Sequence, residues 1–299
     1  RPESRAGGAR AAVLPEVPDI TVRRDEQMRW LVMRAEPEAV WPKVRDFWID
    51  QGFELTETNA RVGVLQTDWA EDRAEIPAGG IGKLLGKLYS ASFRDKYRTR
   101  LERGSSPGTT EIYVAHRGLR EVITEGGGTE TVQTGWETRP SDPGLEAEML
   151  ARLMVSLGAE DSKSQARERV AGAEPRPPRA RLIDADGAPA LELDERFARA
   201  WRITGLALDR GGFTVEDRNR DQGVYYVRYR PAPAAKRGGF LSSLAFWRDN
   251  AGQDEAKRYQ IALVSAGEET RVVVREPSGE RSASETARRI LRLLHEELR

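Results

Sequence analysis

The sequence predicts an α+β chain of two tandem helix-grip domains, each an antiparallel sheet packed against helices, preceded by an extended N-terminal tail. Three observations carry this expectation. Leu31–Trp69 superposes on Leu191–Tyr229 over 39 positions without a gap, at an offset of 160 residues. Trp41 falls on Trp201, Gly52-Phe53 on Gly212-Phe213, Asn59 on Asn219 and Gly63-Val64 on Gly223-Val224. A repeat of this period marks a duplicated domain, not a solenoid of short units. Each copy also passes from a strand-like run to helical spacing, then to alternating runs, and closes on a second helical stripe. Finally, 299 residues with 38% hydrophobic and 32% charged residues suffice for two modest cores under soluble surfaces.

Residues 1–25 lack periodicity and contain Pro2, Pro15 and Pro18 with Gly7 and Gly8, which reads as an extended tail. Within it, Leu14, Pro15, Val17, Pro18 and Ile20 place apolar side chains on a chain that proline holds open. Such a segment cannot fold alone but can lie along a partner.

The first domain is expected over 26–158. Met28–Arg34 reads as a strand, and Glu36-Pro37-Glu38 opens a helix, with proline and acids in the first turn where they cost least. Trp41, Val44 and Trp48 give that helix an apolar face, and Gly52 ends it. Phe53–Glu57 and Val62–Trp69 read as strands around Asn59-Ala60-Arg61. Tyr97–Glu102 and Thr110–His116 form a second hairpin, Gly118–Gly144 a long loop, and Leu145–Leu157 a closing helix.

The segment 159–188 reads as a linker stiffened by Pro175, Pro177 and Pro178. The second domain, 189–299, repeats the order. Leu191–Leu193 is a short strand and Glu195–Arg210 a helix with Phe197, Trp201, Thr204 and Leu208 on one face. Four strands follow, and Ala283–Leu298 is the final helix. Each half contains an excursion after Gly79-Gly80 or Gly238-Gly239. Leu84, Leu85 and Leu88 in one, and Phe240, Leu241, Leu244 and Trp247 in the other, are apolar enough either to fold back or to dock another protein.

Composition excludes several function classes. The 48 basic and 48 acidic residues cancel, so no global field attracts nucleic acid or anionic lipid. There is no cysteine, hence neither disulfide nor thiolate chemistry. No apolar run reaches the length of a membrane span, and no signal peptide is visible.

Catalytic motifs fail one by one. The two histidines, His116 and His295, lack a cluster of metal-ligand spacing and are expected to be structural. Gly104-Ser105-Ser106-Pro107-Gly108 matches G-x-S-x-G, but it joins two strands where a nucleophile elbow needs a strand and a helix. Gly82-Lys83 and Gly86-Lys87 lack the upstream glycine of a phosphate cradle. No enzyme, cofactor or metal site is expected.

Gln27–Val32, Val64–Trp69, Arg94–Arg100, Thr110–Val114 and the helix Glu146–Gly158 resemble the BamC family, lipoproteins of the outer-membrane β-barrel assembly machinery. The resemblance runs from about residue 12 to the end and is strongest in the first half. It implies a non-enzymatic accessory that contacts a BamD-like lipoprotein through its extended N-terminal segment, here Leu14–Ile20, and a BamA-like barrel indirectly. It also implies a Gram-negative outer membrane and attachment through a lipidated cysteine, which this sequence does not contain. The alternative offered by the fold is a carrier of a small hydrophobic ligand between sheet and helix.

Overall fold

A computed structural model describes residues 20–25, 28–70, 93–125, 133–159, 163–171, 180–185, 187–229 and 257–298. The first unit consists of β1 (Ile20–Asp25), β2 (Met28–Met33), α1 (Pro37–Asp50), β3 (Leu55–Asn59), β4 (Val64–Thr67), β5 (Phe93–Arg103), β6 (Thr110–Glu125), β7 (Gln133–Arg139), α2 (Pro143–Ser156) and α3 (Lys163–Ala171). The second consists of β8 (Ala180–Ala185), β9 (Ala188–Leu193), α4 (Phe197–Arg210), β10 (Thr214–Asn219), β11 (Val224–Tyr229), β12 (Lys257–Ala266), β13 (Glu269–Arg275) and α5 (Glu285–Glu297). The chain is therefore α+β with two antiparallel sheets. Sheet 1 runs β1-β2-β6-β5-β4-β3, with β7 also on β6, and sheet 2 runs β10-β11-β12-β13-β9-β8.

The repeat extends further than the sequence comparison showed. Ile20 pairs with Met33 and Ala180 with Leu193, each at the same offset of 160. The β3–β4 ladder shifts register between Leu55 and Glu57, and β10–β11 between Val215 and Asp217. Gly63 and Gly223 both adopt positive φ, and a Cβ on either would lie 2.5 or 2.6 Å from the carbonyl oxygen of Leu101 or Leu263. Those same strands are stitched there, Leu101 N–H to Gly63 O and Leu263 N–H to Gly223 O. Only glycine meets both demands, so its recurrence is steric. Thr110 and Thr270 likewise donate to Ala35 O and Glu195 O, tying each sheet to the turn before its first helix.

Several expectations need correction. Ile20–Asp25 is not tail but the edge strand β1, because its alternating residues extend a hairpin on β2 and bury Ile20 in the first core. The expected loop over 118–144 is largely a hairpin: β6 continues to Glu125 and pairs with β7. In the expected linker, α3 buries Ala166 and Val170 in the first core, and β8 completes sheet 2. His116 is not at a strand end. It lies within β6 and is fully buried.

The first core lies between sheet 1 and α1, α2 and α3. Val40, Val44, Phe47 and Trp48 of α1 meet Tyr97, Leu101, Ile112 and Val114 of the sheet and Met149, Leu153 and Met154 of α2. Trp48 is anchored by its indole N–H on Thr99 Oγ1 at 2.9 Å and packs against Phe53 and Tyr97. Trp41, expected on this face, is only half-buried at its margin.

The second core places α4 and α5 on sheet 2, yet it also takes in Met28, Trp30, Tyr113 and Ala115 from sheet 1. Those residues alternate with the first-core residues of β2 and β6, so they occupy the other face of sheet 1. Helix α4 contacts β6 and is buried nearly all round, from Ala200 and Trp201 to Leu208 and Asp209. The order of layers is thus first-unit helices, sheet 1, second-unit helices, sheet 2.

Candidate interaction surfaces

The face of sheet 1 that meets the second unit carries Arg98, Arg100, Glu102, Glu111 and Arg117 at alternate positions, a pattern that reads as solvated. All are buried. Arg100 donates from Nε to Asp209 Oδ2 at 2.6 Å and pairs with Glu102, while Arg98 Nε lies 3.4 Å from Asp209 Oδ1. Burial works against the charge of Arg100, but Asp209 more than offsets it and holds the guanidinium pKa above its ordinary value. Burial, with Arg100 nearby, instead brings Arg218 down to about 10. Arg218 crosses from β10 to donate to Val62 O at 3.0 Å and to Leu101 O. Its third link is an ion pair with Glu102.

Geometry at this contact depends on Gly205 of α4. A Cβ there would stand 2.6 Å from Tyr225 Oη and 2.9 Å from Arg100 Nη2. The Tyr225 hydroxyl in turn donates to Trp201 O, and the two rings stack 3.9 Å apart. Beside them, Tyr113 stacks on Trp30 and holds Arg100 over its ring at 4.4 Å. Burial raises the phenol pKa of both Tyr225 and Tyr113, so both stay neutral donors.

A second bridge joins the units at the start of α2. Glu146 accepts from Arg210 Nε at 2.8 Å and Nη2 at 2.5 Å, and also from His116 N–H at 3.0 Å. This fills a gap on the β6 edge between Ile112, where β2 ends, and Gly118, where β7 begins. His116 is locked in the same gap. Its Nδ1 accepts from Asp142 N–H at 2.9 Å, which leaves Nε2 as the donor to Asp95 Oδ1 at 2.7 Å. Arg139 also reaches Asp95, across Gly118, where a Cβ would meet its side chain. Both ring nitrogens are committed, and the Ser141 hydroxyl beside the residue is spent on His116 O at 2.7 Å, so the Asp–His pair positions β6, β7 and α2. It has no atom left for acid–base work.

Among the described residues no group of acidic or histidine side chains could hold a metal ion. A groove of about 480 Å³ opens on the outer face of sheet 2, lined by Glu216, Tyr226, Arg228, Arg258 and Gln260 and edged by Arg61 of the first unit. Burial raises the Glu216 carboxyl, but Arg228 and Arg258 together bring it below its ordinary range. The groove is open, with Val215, Val227 and Pro277 among its polar neighbours, and is shaped for contact rather than enclosure. The sheet–helix spaces are occupied instead: Tyr97 and Met154 fill the first, Tyr229, Phe213 and Leu294 the second. Two other bulky aromatics of the first unit lie elsewhere: Tyr113 points to the inter-unit face, and Trp69 lies beneath Lys96 and Arg117.

Of the expected partner-binding residues, Ile20 sits in β1 and is buried in the first core, unavailable to a partner. Leu14, Pro15, Val17, Pro18, Leu84, Leu85, Leu88, Phe240, Leu241, Leu244 and Trp247 lie outside the described residues. The inter-unit residues Arg98, Arg100, Glu146 and Asp209 went unnoticed in sequence, although an Asp on the apolar side of α4 was a signal.

Residues 11–171 match the outer membrane protein assembly factor BamC-like N-terminal domain, and residues 180–298 match the BamC-like C-terminal domain. The chain belongs to the BamC family. An outer membrane protein assembly factor BamC of Thiobacillus denitrificans is 45% identical over 96% of this chain and 78% of its own length. Another of the same name from Accumulibacter regalis is 43% identical over 100% of this chain and 78% of its own length. An uncharacterised protein of Neisseria meningitidis is 33% identical over 97% and 74%. Both BamC-like domains end or begin beside the α3–β8 segment, where the two sheets part company in sequence.

Proposed function

We propose that this chain is a non-enzymatic accessory of the outer-membrane β-barrel assembly machinery of a Gram-negative bacterium, held at the membrane by a lipid anchor. The observation that carries this reading is the family match across both units, to relatives named as outer membrane protein assembly factors. The described polar clusters support it, because each is spent on joining elements and none presents a reactive atom. In this reading the units are helix-grip domains whose grip is filled by side chains.

Partner contact falls to the N-terminal segment, which binds a BamD-like lipoprotein and through it reaches a BamA-like barrel. Because β1 takes Ile20 into the first core, the binding segment in this reading is Leu14–Ile20 without its last residue, keeping Leu14, Pro15, Val17 and Pro18. Capture of a purified BamD-like lipoprotein by the full chain and by residues 20–299 tests this. Equal capture by both would remove the tail from the function, while loss with an unchanged circular dichroism spectrum supports it.

A further inference from the structure

The repeat sets two equivalent sheet edges side by side, and they are finished differently. In sheet 1 the edge strand β1 lies against α3. Arg24 donates to Glu168 O at 3.2 Å, and Arg169 donates to Ile20 O at 3.3 Å. Helix α3 also seats Ala166 and Val170 in the first core, with Val22 of β1 partly buried against it. In sheet 2 that place belongs to β8, whose Ala180 and Leu182 stand 160 residues after Ile20 and Val22. Among the described residues no strand pairs with its outer side, and its main neighbours are β9 and α5. Arg181, Leu182 and Asp184 are exposed.

The opposite edge of sheet 2 is guarded. There β10 is broken by the register shift between Val215 and Asp217, and Arg61 of the first unit takes Glu216 O at 2.8 Å. By contrast β8 pairs with β9 at all six positions without a shift, and it contains neither proline nor glycine. Its one cation, Arg181, is turned inward onto Glu192 at 2.9 Å and Glu269 at 3.5 Å. A regular strand with an uncovered outer row of N–H and C=O groups is a template for another strand.

Register fixes what that strand would meet. Ala180 and Leu182 lie opposite Leu193 and Leu191, so they share the face on which the second core and α5 lie. The other face carries Arg181 and Glu192 beside Ile183. Resting on the assembly reading above, we infer that β8 pairs with an extended segment of a protein being assembled. That segment alternates apolar and polar residues, as transmembrane β-strands do, and lays its apolar set beside Leu182. A second copy of β8 fits less well, because antiparallel self-pairing must keep faces matched. Centred on Leu182 it sets Arg181 against Ile183, and centred on Ile183 it sets Leu182 against Asp184.

Binding of a fluorescent peptide to the full chain, read as anisotropy, is the test. The probe has about ten residues, the length of a membrane-crossing strand, and alternates tyrosine or leucine with threonine or serine. It saturates the native chain and slows amide hydrogen exchange within β8. The same peptide with its amides N-methylated does not bind, because main-chain hydrogen bonds carry the pairing. Leu182→Lys, at a position 44% exposed, weakens binding. The loss is about tenfold or more, as expected of a charge placed on an edge strand. Val264→Lys, equally exposed but on an inner strand, leaves binding unchanged.

A peptide that fails to saturate the chain overturns the proposal. So does equal binding of the methylated peptide, or binding that survives Leu182→Lys. Self-association of the chain that Leu182→Lys abolishes would give the edge to a second copy and overturns it too. No other component of the machinery enters this assay. Capture of the BamD-like lipoprotein without peptide binding therefore fails this proposal alone, whereas peptide binding without capture fails only the partner reading.

Discussion

Replacing Asp209 by alanine removes the acid between two buried guanidinium groups. Arg100 Nε lies 2.6 Å and Arg98 Nε 3.4 Å from it, and all three side chains are at most 3% exposed. After the change, Arg100 retains Glu102 and Arg98 retains the partly exposed Glu57, so two cations share less compensation in a site water barely reaches. Breaking a buried pair by deleting one partner costs about 3–5 kcal/mol, a large part of the roughly 5–15 kcal/mol that stabilises a typical domain. Urea denaturation followed by tryptophan fluorescence reads it, since Trp30 and Trp201 lie at the contact. The first transition moves to lower urea by that amount, and 0.5 M salt scarcely changes the difference. In the double variant Arg100→Met with Asp209→Leu, most of the loss is recovered, because two apolar side chains replace the pair without leaving a bare charge. A loss under about 1 kcal/mol for Asp209→Ala, the worth of an exposed pair, would refute the claim that this contact is closed to water.

Gly205→Leu forces a side chain against Tyr225 Oη and Arg100, and is expected to cost at least the roughly 1–3 kcal/mol of an overpacked core despite better helix propensity. Thermal unfolding checks it. Glu148 is buried enough to raise its carboxyl pKa, but Arg167 and Arg152 outweigh burial and lower it. Its contribution is present above the ordinary glutamate pKa and lost as pH falls through the lowered folded value. Glu148→Gln is thus destabilising by under about 1 kcal/mol at pH 7, after allowance for screening, and indistinguishable from the native chain in acid. Glu297 is the opposite case: burial, with Glu146 nearby, raises its carboxyl despite Arg210. The folded state then holds its proton longer than the unfolded one, and stability declines as pH rises past the ordinary glutamate value. Glu297→Gln is expected to stabilise the chain at pH 7 and to lose that advantage at low pH, measured as urea midpoints across pH.

What the sequence revealed tracks which side chains face water. The repeat, the two helices that open each unit and the inner strands were legible because they alternate or recur towards a core of their own. The edge strands β1 and β8 were hidden beside proline-rich segments, and half of β6 by Gly118, which is there to let Arg139 cross to Asp95. The inter-unit face was invisible for a different reason. Arg98, Arg100, Glu102 and Glu111 alternate with apolar residues as on any solvated strand, and only the arrival of Asp209 and Trp201 from 100 residues away makes that face an interior. Trp41 and Trp201 show the limit of reading by repeat. The two tryptophans align, yet one is half-buried at a margin and the other lies between two sheets.

The central claim is that the duplicated units are held as one body by the helix layer between their sheets. The chain has no cysteine, so Ser105→Cys in the β5–β6 turn and Ser278→Cys after β13, both exposed, can carry one spin label each without a competing site. Electron–electron double resonance on the doubly labelled chain should give one narrow distance, and the same label pair on the Asp209→Ala background should broaden it. A broad distribution in the otherwise native chain, unchanged by Asp209→Ala, would mean that the units move independently and would contradict the account.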